Sequence, residues 1–212
     1  MKILILGAAG QISRMVANLI LAETENDLVL YGRDLSSRIS VKDPTREVII
    51  EGDFEDKDRL RQALIGVDIV YLNDMSSPVA TESIVEAMEE SDVHYLIGAN
   101  VLGIYNEVTG LFGEWNTSMV GSTATQKHLK AAKLLEQSSL DYVILRLTWL
   151  YNQKGNENYV LTQKGESFIG AQVTREAVAR LIMTIIHDPA KYAKTSLGVS
   201  EPDTDWAKPS FY

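Results

Sequence analysis

The chain has no cysteine, which removes disulfides, thiolate nucleophiles and cysteine-ligated metals from consideration and fits a reducing compartment. Histidine is scarce as well: His94, His128 and His187 are the three present, far apart and without ligand spacing, so no metal site is expected. No apolar run approaches the ~20 residues that span a bilayer. Met1 leads through Lys2 straight into a strand-like segment, without the apolar core or cleavage site of a secretion signal. A cytoplasmic protein without a membrane partner is the expectation. Cations are outnumbered, 20 lysines and arginines against 29 acidic residues, for a formal charge of -9. That charge repels a polyphosphate backbone, and the three lysines of the Lys127–Lys133 segment read as a solvated helix face. Nucleic acid is therefore not an expected partner.

What is present is a regular alternation of apolar runs and amphipathic stretches. The length of 212 residues suits a single domain spanning residues 1–212. Lys2–Leu6 is short, nearly all apolar and ended by glycine, the pattern of a strand buried on both faces of a parallel sheet. Ile12, Met15, Val16, Leu19 and Ile20 then recur at helical spacing. Further strands are predicted at Leu28–Gly32, Glu47–Asp53, Asp68–Asn73, His94–Asn100 and Asp141–Leu150, with helices between them, and a late helix opens at Thr174 as N-cap. This order predicts an α/β fold, a Rossmann-type doubly wound parallel sheet with flanking helices and a small irregular C-terminal portion. Two long connections, near 101–122 and 151–172, are expected as substrate-side loops. The tail from Gly198 is expected to be irregular.

The turn GAAGQIS after the first strand brings Gly7 and Gly10 to a helix start. Backbone N–H groups and the positive end of the helix dipole there suit a pyrophosphate. Ser13 stands where a third glycine would allow close helix–strand approach, so a slightly displaced helix is expected. On spacing alone, an ordinary glycine turn is an equal alternative. The second predicted strand ends in Gly32-Arg33, with Arg38 five residues on and no terminal carboxylate. Two guanidiniums at that point suit a 2'-phosphate, which reads as NADP(H) preferred over NAD(H); an exposed surface pair is the alternative. Asp53 and Phe54 fall near the expected adenine edge, Asp53 with the alternative role of capping the next helix.

Together GAAGQIS, YGR, EGDFED, DIVYLN, the LGIYNEV loop and LDYVILRLTWL resemble the atypical short-chain dehydrogenase/reductases, in particular the NmrA-like NAD(P)H-binding branch. The resemblance runs through nearly the whole chain, to VTREAVARLIMTII and the GVSEPDTDWAKP tail. It implies an NAD(P)H-binding oxidoreductase. Gly7, Ala9, Gly10, Gln11 and Ile12 would surround the pyrophosphate, Arg33 and Arg38 the 2'-phosphate, and Asp53 and Phe54 the adenine. Asn73 and Asp74, then Ala99, Asn100 and Val101, then Leu147, Thr148 and Trp149 would face the ribose and nicotinamide.

One departure bears on chemistry. Active members reduce carbonyls with a serine after strand five and a Tyr-x-x-x-Lys helix that supplies a proton. Here Gly98-Ala99-Asn100-Val101 carries no serine, and Gln126 precedes Lys130 where the tyrosine would stand. No catalytic residue is assigned. The expected activity is NADPH-dependent reduction of a flat small-molecule acceptor, a quinone or flavin, that needs no enzymic phenol, with Tyr105, Phe112, Trp115 and Trp149 as an aromatic floor. The alternative is a catalytically inactive NADP(H)-sensing regulator with a protein partner.

Overall fold

The computed structural model describes every residue, Met1–Tyr212. Four strands, β1 (Lys2–Leu6), β2 (Asp27–Gly32), β3 (Glu47–Glu51) and β4 (Ile69–Leu72), alternate with α1 (Gln11–Glu23), the single turn α2 (Leu35–Arg38) and α3 (Lys57–Ala63). Then follow α4 (Pro78–Glu89), β5 (Tyr95–Val101), α5 (Gly110–Val120), α6 (Ser122–Gln137), β6 (Asp141–Leu147), β7 (Trp149–Tyr151) and β8 (Val160–Thr162). The chain closes with β9 (Gln172–Thr174), α7 (Arg175–His187), α8 (Pro189–Tyr192) and β10 (Thr195–Ser200). The main sheet runs β3-β2-β1-β4-β5-β6-β10-β8. Its strands are parallel except for β8, which pairs antiparallel with β10. Because the order reverses between β1 and β4, a crevice opens there beyond the carboxyl ends of the strands.

The strands are apolar throughout because each serves two cores. Ile3 and Ile5 of β1 point into the layer shared with α1 and α7, whereas Leu4 and Leu6 point into the layer of α3, α4 and α6. The same alternation recurs in β2, with Leu28 and Leu30 on one side and Val29 and Tyr31 on the other. Helix starts follow their side chains: Asp56, Ser77 and Thr174 accept from Arg59, Ala80 and Ala177 N–H. Asp53 is thus not a helix cap; its carboxylate accepts the N–H of Glu55 two residues on.

Four segments differ from the sequence reading. The 101–122 connection contains the helix α5, the 151–172 connection contains the strand β8, the last predicted strand divides at Thr148 into β6 and β7, and the first residues of the tail, Gly198–Ser200, belong to β10, with the rest irregular. Gly198 is there because a Cβ would overlap Thr162 Oγ1 and reach within 2.8 Å of the Phe168 ring. The start of the 101–122 connection is pinned by Glu107. Its carboxylate accepts the N–H groups of Gly103 and Tyr105 and pairs with Arg146 Nη1 at 2.7 Å. Arg146 itself is fully buried and also donates to the carbonyls of Thr162 and Ser196.

Ser13 is fully buried on α1, and its hydroxyl has no partner. Exchanging it for alanine removes an unsatisfied group at the cost of one oxygen's volume, so Ser13→Ala is expected to change stability by less than about 1 kcal/mol, toward greater stability. Urea unfolding checks this; a loss well beyond that figure would mean the hydroxyl is bonded.

Candidate functional site

The turn between β1 and α1 is shaped by glycine at two points. Gly7 adopts φ +85°, a left-handed conformation that side chains disfavour. A Cβ on Gly10 would overlap the side-chain amide of Asn73, which arrives from the end of β4. Along the turn, the N–H groups of Gly7 and Ala8 donate to Tyr31 O and that of Gly10 donates to Gly7 O. Those of Ala9, Gln11 and Ile12 have no acceptor in the chain, and they lie at the N-terminus of the 13-residue α1. This is the donor set and dipole end that a pyrophosphate requires.

Two cavities meet at Asn73 and Asp74. The larger, about 480 Å³, is bounded by Gly7, Ala9 and Gly10, by Arg33 and Arg38, and by Asp53 and Phe54. Its base is braced from below: the buried Tyr31 donates to Asp53 O at 2.7 Å and stacks on Phe54, and burial pushes its phenol up to about 12. Arg33 lies 3.8 Å from the Asp53 carboxylate, and Arg38 Nη1 donates to Arg33 O at 3.5 Å. Arg38 also walls a neighbouring cavity with Arg14, Ser36, Ser37 and Lys42. Sequence reading missed Arg14 and Lys42; their signal is the positive charge they add beside Arg38, but only folding brings α1 next to the segment after α2.

The smaller cavity, about 280 Å³, is lined by Gln11, Ile12, Asn73, Asp74, Ala99, Asn100, Val101, Leu147 and Thr148, and by Leu150, His128 and Arg175, which sequence reading did not select. Several of its polar groups are already engaged. The buried Asn100 donates to His128 O at 3.1 Å and accepts its own chain's Val101 N–H, tying α6 to β5. Thr148 Oγ1 donates to Gly170 O, and the Asp74 carboxylate accepts both the N–H and O–H of Ser76. The imidazole of His128 is held below the ordinary histidine range chiefly by burial, offset in part by Asp74, and its Nδ1 has no partner.

Trp149 is the exception among the residues expected at the site: it does not line the cavity. The strand breaks at Thr148, where the chain leaves the main sheet to pair with β9, and alternation along β7 turns Leu150 to the cavity and Trp149 to the opposite side. Its indole N–H donates to Asn116, and its ring lies 4.8 Å from that of Trp115. Phe112, Trp115 and Trp149 do gather, joined by Tyr212, whose ring is 5.1 Å from both tryptophans. Tyr105 stands apart: its hydroxyl donates to Glu136 at 2.5 Å, its ring lies under Lys164 and near Arg146, and burial raises its phenol above the ordinary range. It therefore supplies neither floor nor proton to the cavity, and Lys130 is not among its charged partners.

A parallel sheet with this switch-point crevice, a glycine turn carrying free N–H groups and a bipartite cavity defines a dinucleotide-binding protein of the Rossmann type. The sequence profile of the family described as NAD(P)H-binding matches residues 7–189. The chain belongs to that family, within the atypical short-chain dehydrogenase/reductases. Curated protein sequences give no match. Among solved structures it is similar to a short-chain dehydrogenase/reductase from Veillonella parvula, solved ethylated and in complex with NADP. Both forms are 37% identical with a TM-score of 0.95; the alignments cover 100% and 99% of this chain, respectively, and 99% of each structure. A Rossmann-fold NAD(P)-binding family protein from Shigella flexneri is 34% identical, with a TM-score of 0.82 over 100% of this chain and 98% of that one. ChuY, an anaerobilin reductase from Escherichia coli, is 22% identical with a TM-score of 0.78 over 99% and 100%, a likeness of fold alone. No helix is long and apolar enough to cross a membrane.

Proposed function

We propose that the protein is a cytoplasmic NADPH-dependent reductase acting on a flat, conjugated small-molecule acceptor of the quinone or flavin class. The observation that carries the cofactor preference is the pair Arg33 and Arg38 on the wall of the larger cavity, with Gly32 rather than a carboxylate ending β2. The complex of the Veillonella parvula relative with NADP supports it. Ala9, Gln11 and Ile12 would hold the pyrophosphate by their N–H groups, Phe54 and Asp53 the adenine, and Asn73, Ala99 and Leu147 the nicotinamide end. Bound NADPH supplies a hydride. The chain's contribution is position and exclusion of water by Ile12, Ala99, Val101, Leu147 and Leu150. Since no Tyr-Lys pair faces the cavity, acceptors whose reduced form is a delocalised anion suit it better than simple ketones, which lose the ~100- to 10,000-fold that general acid catalysis contributes.

Two charge-assisted contacts of ~1.5 to 3 kcal/mol each give at least tenfold tighter binding of NADPH than of NADH after desolvation losses. Calorimetric titration of both cofactors tests this, with Arg38→Ala expected to bring the two affinities together. Equal affinities in the unaltered protein would overturn the preference. Assays of NADPH oxidation with a quinone, a free flavin and a ketone test the acceptor class. Faster ketone turnover would overturn it, and failure of every acceptor despite tight NADPH binding would favour a regulatory NADP(H) sensor.

A further inference from the structure

Arginines that are partly or wholly buried elsewhere in this protein are matched. Arg146 has Glu107, Arg180 has Glu23 and Glu157, and Arg46 donates to the carbonyls of Ile20, Leu21, Thr24 and Asn26. Arg175 is different. It is half-buried, lines the smaller cavity, and has no carboxylate within ion-pair distance; its one side-chain bond is from Nη1 to Asn152 Oδ1 at 3.1 Å. Asn152 in turn approaches Gln11 Oε1 at 3.5 Å.

The position is unfavourable for a cation on two further counts. Arg175 is the first residue of α7, a 13-residue helix whose positive dipole end opposes a positive side chain. Burial alone lowers its pKa. The carboxylates that would ordinarily relieve it are committed elsewhere: Glu176, the next residue, accepts Gly155 N–H at 2.7 Å, and Asp74, the one carboxylate lining the cavity, is held by Ser76. A guanidinium kept partly dry, at the wrong end of a helix and without a counter-ion is stabilised by an anion that enters the cavity.

Resting on the reductase reading above, we propose that Arg175 receives a carboxylate carried by the acceptor, so that the protein's substrates are flat conjugated carboxylates rather than neutral quinones. The cofactor's own pyrophosphate is the other anion in reach: Gln11 and Ile12 line the smaller cavity with Arg175, whereas Gly7, Ala9 and Gly10 of the phosphate turn line the larger half, where Arg175 is absent. Arg175 also shares its cavity with Ala99 and Leu147, assigned above to the nicotinamide end where the acceptor must sit, and the NADPH titrations below separate the two anions.

The test uses anthraquinone-2-carboxylate and its carboxamide as probes, titrated calorimetrically into the full chain saturated with NADP. In the unaltered protein the carboxylate is expected to bind at least tenfold more tightly than the carboxamide. Arg175→Met should remove that difference, Arg175→Lys should restore part of it, and the Kd for NADPH should stay within about twofold in both variants. Discrimination that persists in Arg175→Met, binding of neither probe, or a loss of NADPH affinity as large as the loss of carboxylate affinity would each overturn the proposal. If carboxylate discrimination appears while no acceptor is reduced, the reductase reading falls and the anion site stands.

Discussion

Replacing Glu107 by alanine is expected to cost about 3–5 kcal/mol of folding free energy, the penalty for leaving a buried charge without its partner. Arg146 has a side-chain exposure of 0% and Glu107 of 3%, so water cannot replace the lost carboxylate. The same substitution frees the N–H groups of Gly103 and Tyr105, which loosens the connection into α5. A domain's total stability is typically ~5–15 kcal/mol, so the variant should unfold at markedly lower urea. Glu107→Gln keeps acceptor geometry for one oxygen and should lose less. A double variant, Glu107→Leu with Arg146→Met, should regain much of the loss, because it removes both charges together. Equilibrium unfolding of the set decides: a loss below about 1 kcal/mol in Glu107→Ala would show that the pair is not a strong contributor.

Gly10→Val is expected to abolish NADPH binding, at least a hundredfold in Kd, in a protein that still folds. The branched side chain would displace the Asn73 amide, whose Oδ1 is fixed by the Tyr71 hydroxyl at 3.0 Å, and would stand before the free N–H groups of Gln11 and Ile12. Overpacking costs typically ~1–3 kcal/mol, which a folded domain tolerates. Calorimetric titration beside thermal unfolding separates the two effects. Binding retained within tenfold would return this turn to a plain connection.

The fold was legible in the sequence wherever one local rule decided. The apolar runs of β1 and β4 demand two covered faces, and Thr174 sits three residues before the N–H it caps. Where tertiary contact decided, it was not. Gly110, Gly113 and several aromatics argue against a helix at α5, yet Phe112 stacks on Trp115, which finds an aromatic neighbour in Trp149, and that packing overrides propensity. The four-residue α2 is too short for any periodicity to register. Residues on the turn and strand ends were readable because strand order alone brings them to the crevice. Trp149 was misplaced because the strand break at Thr148 shifts the alternation by one residue, from Leu145 and Leu147 to Leu150. His128 and Arg175 lie on helices that read as ordinary surface and core; the one clue to Arg175 was a cation at the start of a helix.

The two halves of the crevice also differ in when they can exist. Every residue around the larger cavity falls between Gly7 and Ala80, within a contiguous half-sheet of β3, β2, β1 and β4. The smaller one needs Gln11 and Arg175 together, and the face of α1 carrying Val16 and Ile20 is covered only once α7 docks. During synthesis the ribosome therefore releases every residue around the larger cavity well before the smaller one has its last wall, and until α7 emerges the apolar face of α1 is bare, a surface open to aggregation.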